Sequence, residues 1–429
     1  MRKTGIRRAA IATAIALTLT SVLAAPAAAT DGWLDPTFSG DGWVRLPQGA
    51  GAAGDLVVVP GPSGGAIVAR LGNRGGSPII ETLALTPSGG LSSSFNDGTW
   101  GSLVIGEHDT LMTGFAATPS GGAVGALGPY QEIVLRIREI GPDGAIIGGV
   151  AVAQSAELLS ANVVRLPGGS IRTCTSEGTP DEHRLIGFTP TYVLDPAIGE
   201  DGQRALPIDD CFALGADAAG HLYVAGKASI APDEPARVDL LRTTTSGVVD
   251  TAWNGDGLAS IGLPGIDVHL ARGIQIGIKQ FSPAVSPILP LSDGSVYIVA
   301  RVTRQGTHLR SAAIIKLTPD GELDPSFDGD GVRAFAPPDG QSRILAMAVD
   351  ADGRPVISFI KSFRDGNSRG FLARLTTSGA FDPTFGRGGE IQQSLTADSL
   401  LIDAQGRIVT VARQGSGPQD AIVVARRNG

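Results

Sequence analysis

Leu323-Asp324-Pro325-Ser326-Phe327-Asp328-Gly329-Asp330-Gly331 is the stretch that decides the fold, because the chain repeats it. Leu34-Asp35-Pro36-Thr37-Phe38-Ser39-Gly40-Asp41-Gly42 is a second copy and Phe381-Asp382-Pro383-Thr384-Phe385-Gly386-Arg387-Gly388-Gly389 a third. Val249-Asp250-Thr251-Ala252-Trp253 and Leu194-Asp195-Pro196-Ala197-Ile198 open two further copies. Leu91-Ser92-Ser93-Ser94-Phe95 is worn, and Ile146-Ile147 stands where a seventh is due. Asp-Pro-Ser/Thr suits a β-turn, with Asp first and Pro presetting φ at the next position. The flanking Leu and Phe can both enter a core, and the Gly-Asp-Gly tail offers positive-φ positions ahead of the next strand.

A second signal is present in all seven units. A turn ends in Gly and an apolar, β-rich run follows, as in Asp352-Gly353-Arg354-Pro355-Val356-Ile357 and Asp293-Gly294-Ser295-Val296-Tyr297-Ile298. The turn glycines are Gly64, Gly121, Gly169, Gly220, Gly294, Gly353 and Gly406, spaced by 57, 48, 51, 74, 59 and 53 residues. Each unit reads as apolar strand, Gly turn, strand, loop, strand, Gly turn and motif segment, the four-strand content of a propeller blade. No helical period of useful length appears, and 60 Gly with 28 Pro oppose long helices. The expected fold is all-β, a seven-bladed β-propeller of four-stranded blades.

The chain ends say how the ring closes. Elsewhere a strand, a turn and the motif run in succession, as in Ile314 to Asp324, but the chain stops at Gly429, at the turn. The orphan motif sits at Asp31-Gly32-Trp33-Leu34-Asp35-Pro36. The two ends are parts of one broken repeat, so the N-terminal strand is expected to complete the last blade and remove an exposed sheet edge.

The Leu-Asp-Pro-Ser/Thr-Phe-x-x-Asp-Gly segment, with Pro-Asp-Gly before it, resembles the delta-60 repeat family of bacterial exported and surface proteins. The resemblance spans residues 31–429, strongest at 31–46, 239–257 and 311–429. It implies propeller-like β architecture and carries no agreed activity, so it transfers no catalytic residue. The departures at Ser92–Ser94 and Ile146 leave the second and third blades open.

Ahead of the repeats, Arg2, Lys3, Arg7 and Arg8 precede an apolar run from Ala9 to Leu23 and an Ala27-Ala28-Ala29 site. This reads as a signal peptide over residues 1–29, leaving a single propeller domain over 30–429 in an extracellular setting. The run is short of a membrane span. Its removal moves the formal charge from −8 to −12, which disfavours nucleic acid and anionic membrane as partners. In an oxidising space the two cysteines, Cys174 and Cys211, are expected to pair, since one ends a strand of unit three and the other opens unit four.

Catalytic patterns are weak. Gly61-Pro62-Ser63-Gly64-Gly65 fits a nucleophile elbow by letter, but falls in a repeat turn between strands. The Asp324, Asp328 and Asp330 set, tested against Ca²⁺, is not repeated in the other copies. His108, His183, His221, His269 and His308 lack ligand spacing. Asp181-Glu182 and Asp233-Glu234 lie in polar loops, and Trp33, Trp43 and Trp100 suit strand packing better than sugar stacking. No cofactor, metal ligand or catalytic residue is expected.

What remains is a row of cations. Arg70, Lys227, Arg301, Lys361 and Arg413 recur just past the second strand of their units, and Arg304 and Arg364 follow in the loops. These seven are the candidate binding residues, on one rim of the ring. The favoured role is a non-catalytic secreted binding or scaffold module for an acidic cell-envelope or extracellular polymer. The alternative is an extracellular glycan hydrolase or lyase. Its mark would be a polar cluster confined to one or two blades and absent from the repeat, and the one candidate is the long connection of the fifth unit near Gly265 to Phe281, with Asp267 and His269.

Overall fold

The computed structural model describes residues 31–429 except 50–55, 75–76, 105–109, 130–133, 154–159, 177–182, 200, 228–233, 271–272, 276–279, 283–286, 308–309, 336–339 and 416–420. Seven antiparallel blade sheets make up the fold, six of four strands and one, blade 5, of five because its innermost strand is split in two. Blade 1 comprises Leu56–Pro60, Ala66–Arg74, Ser77–Leu85 and Gly101–Val104. Blades 2, 3 and 4 run from Thr110 to Ala153, Ser160 to Ala205 and Ala213 to Ile261, and blades 5 and 6 from Ile266 to Ala334 and Gln341 to Gln393.

Blade 7 takes three strands from the C-terminus, Ser399–Ile402, Ile408–Gln414 and Ala421–Arg427. Its outermost strand is Trp43–Arg45, paired Trp43 to Ala425 and Arg45 to Val423. The N-terminus thus closes the ring. The closing strand follows the motif rather than containing it: Leu34 makes only an isolated bridge to Arg427. The same holds at Gln203–Ala205, Val332–Ala334 and Glu390–Gln393, so the motif is the turn that delivers the fourth strand.

Alternation explains the near-continuous apolar strands. Leu56 and Val58 face blade 7, while Val57 and Val59 face blade 2. Successive strand residues point to opposite faces, and here both faces are covered by neighbouring blades. The described core divides into seven clusters, one at each blade–blade interface, including the interface of blades 7 and 1. The seven turn glycines have φ between +77° (Gly406) and +93° (Gly220), where a Cβ would be strained. Cys174 and Cys211 form a disulfide between blades 3 and 4, with Cα atoms 6.1 Å apart.

Blades 1, 2 and 3 each have four strands, although the motif is worn at Ser92–Ser94 in blade 1 and missing at Ile146 in blade 2. Blade 5 departs most. Its innermost layer is split: Ile288–Pro290 pairs with the first half of Val296–Arg304, and Ile266–Leu270 pairs with the second half. The chain between them leaves the blade and forms a small ladder of Gly273–Gln275 with Gln280–Ser282. Gln280–Ser282 lies against Thr110–Ala117, the innermost strand of blade 2, so the excursion crosses the middle of the ring. This is the surplus expected from the sequence near Gly265 to Phe281.

Candidate functional site

The charged residues of the repeat fall into two groups, those that hold the blades together and those left facing a cleft. The first group explains the motif. In blade 7 the Asp35 carboxylate accepts the Thr37 N–H (2.9 Å) and hydroxyl (2.6 Å) through one oxygen and Arg426 Nε (2.8 Å) through the other. Arg426, only 2% exposed, also donates to Thr37 Oγ1 and to the Pro87 carbonyl of blade 1, and lies 4.8 Å from the centre of the Phe38 ring. Asp382 with Arg374 repeats the arrangement, and Asp324 with Lys316 and Asp250 with Arg242 are further versions.

Where the motif is worn, the clasp changes with it. Blade 3 has Gly187 at the basic position, and Arg172 of the neighbouring strand pairs with Asp195 instead. Blade 1 has lost both members, with Ala84 opposite Ser92. Burial raises the Asp35, Asp324 and Asp382 carboxyls, but hydrogen bonds from Thr37, Ser326 and Thr384 and the basic partners outweigh it and hold all three below the ordinary aspartate range. The signal for three of these clasps was in the sequence, because Arg242, Lys316 and Arg374 each stand two residues ahead of the Thr that opens the turn before the motif.

The sequence-expected cations separate sharply. Arg70 is 2% exposed, bonded to Glu81 and stacked on Trp100 at 5.0 Å. Lys361 donates to Glu390 (2.7 Å) and lies over Phe371 at 4.5 Å. Arg413 donates to Asp398 at 3.2 Å. These three are tied to carboxylates within their own blades. Arg364 is exposed in the turn after the second strand of blade 6 and does not line the cleft described next.

Lys227 and Arg301 are brought together. They line a cleft of about 320 Å³ between blades 4 and 5, with Arg237 and His269, over apolar walls of Phe212, Val268 and Leu270. Lys227 ends the second strand of blade 4, and Arg237 stands just ahead of the third, Val238–Thr243. His269 is the register partner of Arg301 on the split inner layer of blade 5. Asp267 accepts the Ala236 N–H (3.0 Å), and the Val268 N–H donates to the Ala236 carbonyl (2.7 Å). Those bonds pin the loop that carries Arg237 to the strand that carries His269. The blade 5 departure is therefore what shapes the cleft.

Its electrostatics are one-sided. Arg237 pairs with Glu234 at 2.6 Å, but both are more than a third exposed, so the pair is weak. Among the described residues, Arg301 and Lys227 form no ion pair, and the buried Arg301 Nε has no hydrogen-bond acceptor. Burial and the nearby Arg310 charge both push the Arg301 pKa down. A half-buried guanidinium beside another cation is destabilised unless an anion reaches it. Arg304 ends the same strand and is exposed, but is not among the residues lining the cleft.

The remaining sequence candidates have other surroundings. Ser63 occupies a short turn between two strands. Asp328 binds Arg333, Asp330 accepts the Val332 N–H, and no group of three metal-ligating side chains exists among the described residues. His221 Nδ1 bonds Asp217 at 2.8 Å, and His183 is buried. Trp253 is core, donating to the Pro319 carbonyl, whereas Trp33 and Trp43 are 52% and 41% exposed. Asp181, Glu182, Asp233, His108 and His308 lie outside the described residues.

Fold and cleft together define a seven-bladed propeller with a cationic recess at one blade interface. A family model described as a domain of unknown function (DUF5122) beta-propeller matches residues 291–327 and 358–385, in blades 5 and 6. No curated protein matches the chain. Among solved structures it is similar to puromycin hydrolase, at 14% identity over 92% of this chain and 55% of that one, with a TM-score of 0.48. It is similar to a protein of unknown function from Dyadobacter fermentans DSM 18053, at 11% identity over 90% of this chain and 98% of that one, with a TM-score of 0.47. It is also similar to the polysaccharide lyase Uly1, at 8% identity over 90% of this chain and 100% of that one, with a TM-score of 0.48. The chain spans about half the length of puromycin hydrolase.

Proposed function

We propose that the chain is an exported binding or scaffold module that holds an acidic envelope or extracellular polymer in the cleft between blades 4 and 5. The observation that carries this is Arg301, a half-buried cation with no carboxylate partner among the described residues, facing Lys227, Arg237 and His269 across one recess. A carboxylate, sulfate or phosphate group entering there would gain charge-assisted hydrogen bonds and relieve the repulsion between Arg301 and Arg310. The disulfide supports an oxidising compartment, and no helix among the described residues is long and apolar enough to cross a membrane.

Retention on immobilised alginate, heparin and polyphosphate tests the reading. The wild type should be retained on at least one of them and released by added salt, because screening shortens the reach of exposed charge to about 8 Å at physiological ionic strength. Arg301→Glu with Lys227→Glu should abolish retention. Arg413→Glu, at a site already opposite Asp398, should not. No retention of the wild type on any column, or equal retention of the double variant, overturns it. His269 opposite Arg301 favours a second reading, a glycan lyase or hydrolase, which shortening of the retained polymer would reveal.

A further inference from the structure

The missing motif of blade 2 has a structural consequence. Where other blades insert a motif turn before a short outer strand, blade 2 passes from the Pro142-Asp143-Gly144 turn directly into Ile146–Ala153. This outermost strand has eight residues, against three or four in every other blade. Its sequence is Ile-Ile-Gly-Gly-Val-Ala-Val-Ala, with no charged residue. The outer strands of blades 3, 5, 6 and 7 carry Arg204, Arg333, Glu390 and Arg45. Short length and inward or edge charges are how sheet edges are kept from pairing, and this edge has neither. Among the described residues it pairs with Val134–Ile140 on one side only, and Ile146 and Ile147 are 54% and 58% exposed.

We infer that this edge pairs antiparallel with the same edge of a second copy of the chain, joining two blades into one eight-stranded sheet. Self-complementarity selects this occupant. A two-fold axis requires each patch to accept itself, and an uncharged strand meets its copy without like-charge repulsion. In the fully overlapping register, Ile147 stands opposite Val152 of the copy, and Val150 opposite Gly149, so each bulky residue meets a smaller one. The paired edge would run about 26 Å at ~3.3 Å per residue. The cationic cleft lies in blades 4 and 5, so both copies would keep their recesses free.

The experiment is sedimentation equilibrium of the full chain from micromolar to millimolar concentration, with amide hydrogen exchange at both ends of the range. The expected result is a monomer–dimer equilibrium in which the outward amides of Ile146–Ala153 become protected as the dimer forms. Ile147→Lys with Ala151→Lys should abolish the dimer while leaving the circular dichroism spectrum unchanged. A chain that stays monomeric throughout, a dimer whose 146–153 amides exchange as in the monomer, or a folded double-lysine variant that still dimerises each overturns the proposal. The exchange measurement on the wild type decides the matter if the variant does not fold.

Discussion

Asp35→Ala is the substitution that probes ring closure most directly. The carboxylate sits on the N-terminal segment and its partner Arg426 on the last C-terminal strand, 391 residues away. Both are nearly inaccessible, at 6% and 3% side-chain exposure. Removing Asp35 leaves the guanidinium with Thr37 and the Pro87 carbonyl but no directly paired carboxylate, the Asp403 charge acting only from farther away. Breaking a buried pair from one side costs about 3–5 kcal/mol. Asp324→Ala should cost less, roughly 1–3 kcal/mol, because Lys316 and Asp324 are 14% and 13% exposed and water can compensate. A double variant, Asp35→Leu with Arg426→Met, should recover most of the loss, since it removes the orphaned charge as well. Urea denaturation followed by circular dichroism and by tryptophan fluorescence measures all three. Equal losses for Asp35→Ala and Asp324→Ala, or a double variant no better than the single, would refute the reasoning. The pH dependence has a definite sign. Asp35, Asp324 and Asp382 are depressed below a free aspartate's 3.8 in the folded state. Their stabilisation is complete above that value and is lost as pH falls through the lower folded values, and Asp35→Ala should flatten that acid limb.

Other perturbations read other parts of the fold. Replacing Cys174 and Cys211 by Ser opens a loop with a sequence separation of 37, and the chain-entropy relation puts the loss at about 4 kcal/mol. Thiol titration of the unreduced, unfolded wild type should find no free thiol. Gly406→Ala isolates backbone strain, because its Cβ would meet nothing within 4 Å while φ is +77°. The expected cost is about 1–2 kcal/mol in the urea midpoint, and a neutral result would contradict the left-handed turn. Truncation through Arg45 strips the closing strand from Ala421–Arg427, and light scattering should show aggregation. A permutant joining Gly429 to Trp33 should instead remain as stable as the parent in the same assay.

Much of this architecture is written in local sequence. Seven recurring Gly turns, a motif with its own turn chemistry and a repeat broken across the two termini determine seven blades and closure by the N-terminus. Each of those signals needs only a few adjacent residues, so it survives without knowledge of what lies beside it. The Cys174–Cys211 pairing was legible for the same reason, once neighbouring units were placed side by side. Partnership across strands was a different matter. Arg70 and Lys361 looked like their counterparts Lys227 and Arg301, yet Glu81 and Glu390 neutralise the first two. Register decides this, since Glu81 faces Arg70 across a hairpin and slipping one residue would turn it to the other face. The cleft is likewise tertiary. It exists because the chain leaves blade 5 after Leu270 and returns at Ile288, splitting one strand so that His269 lies opposite Arg301. No periodicity records that split. Composition and turns set the number of blades, whereas which charges remain unneutralised depends on inter-strand distances that exist only after the sheets have formed.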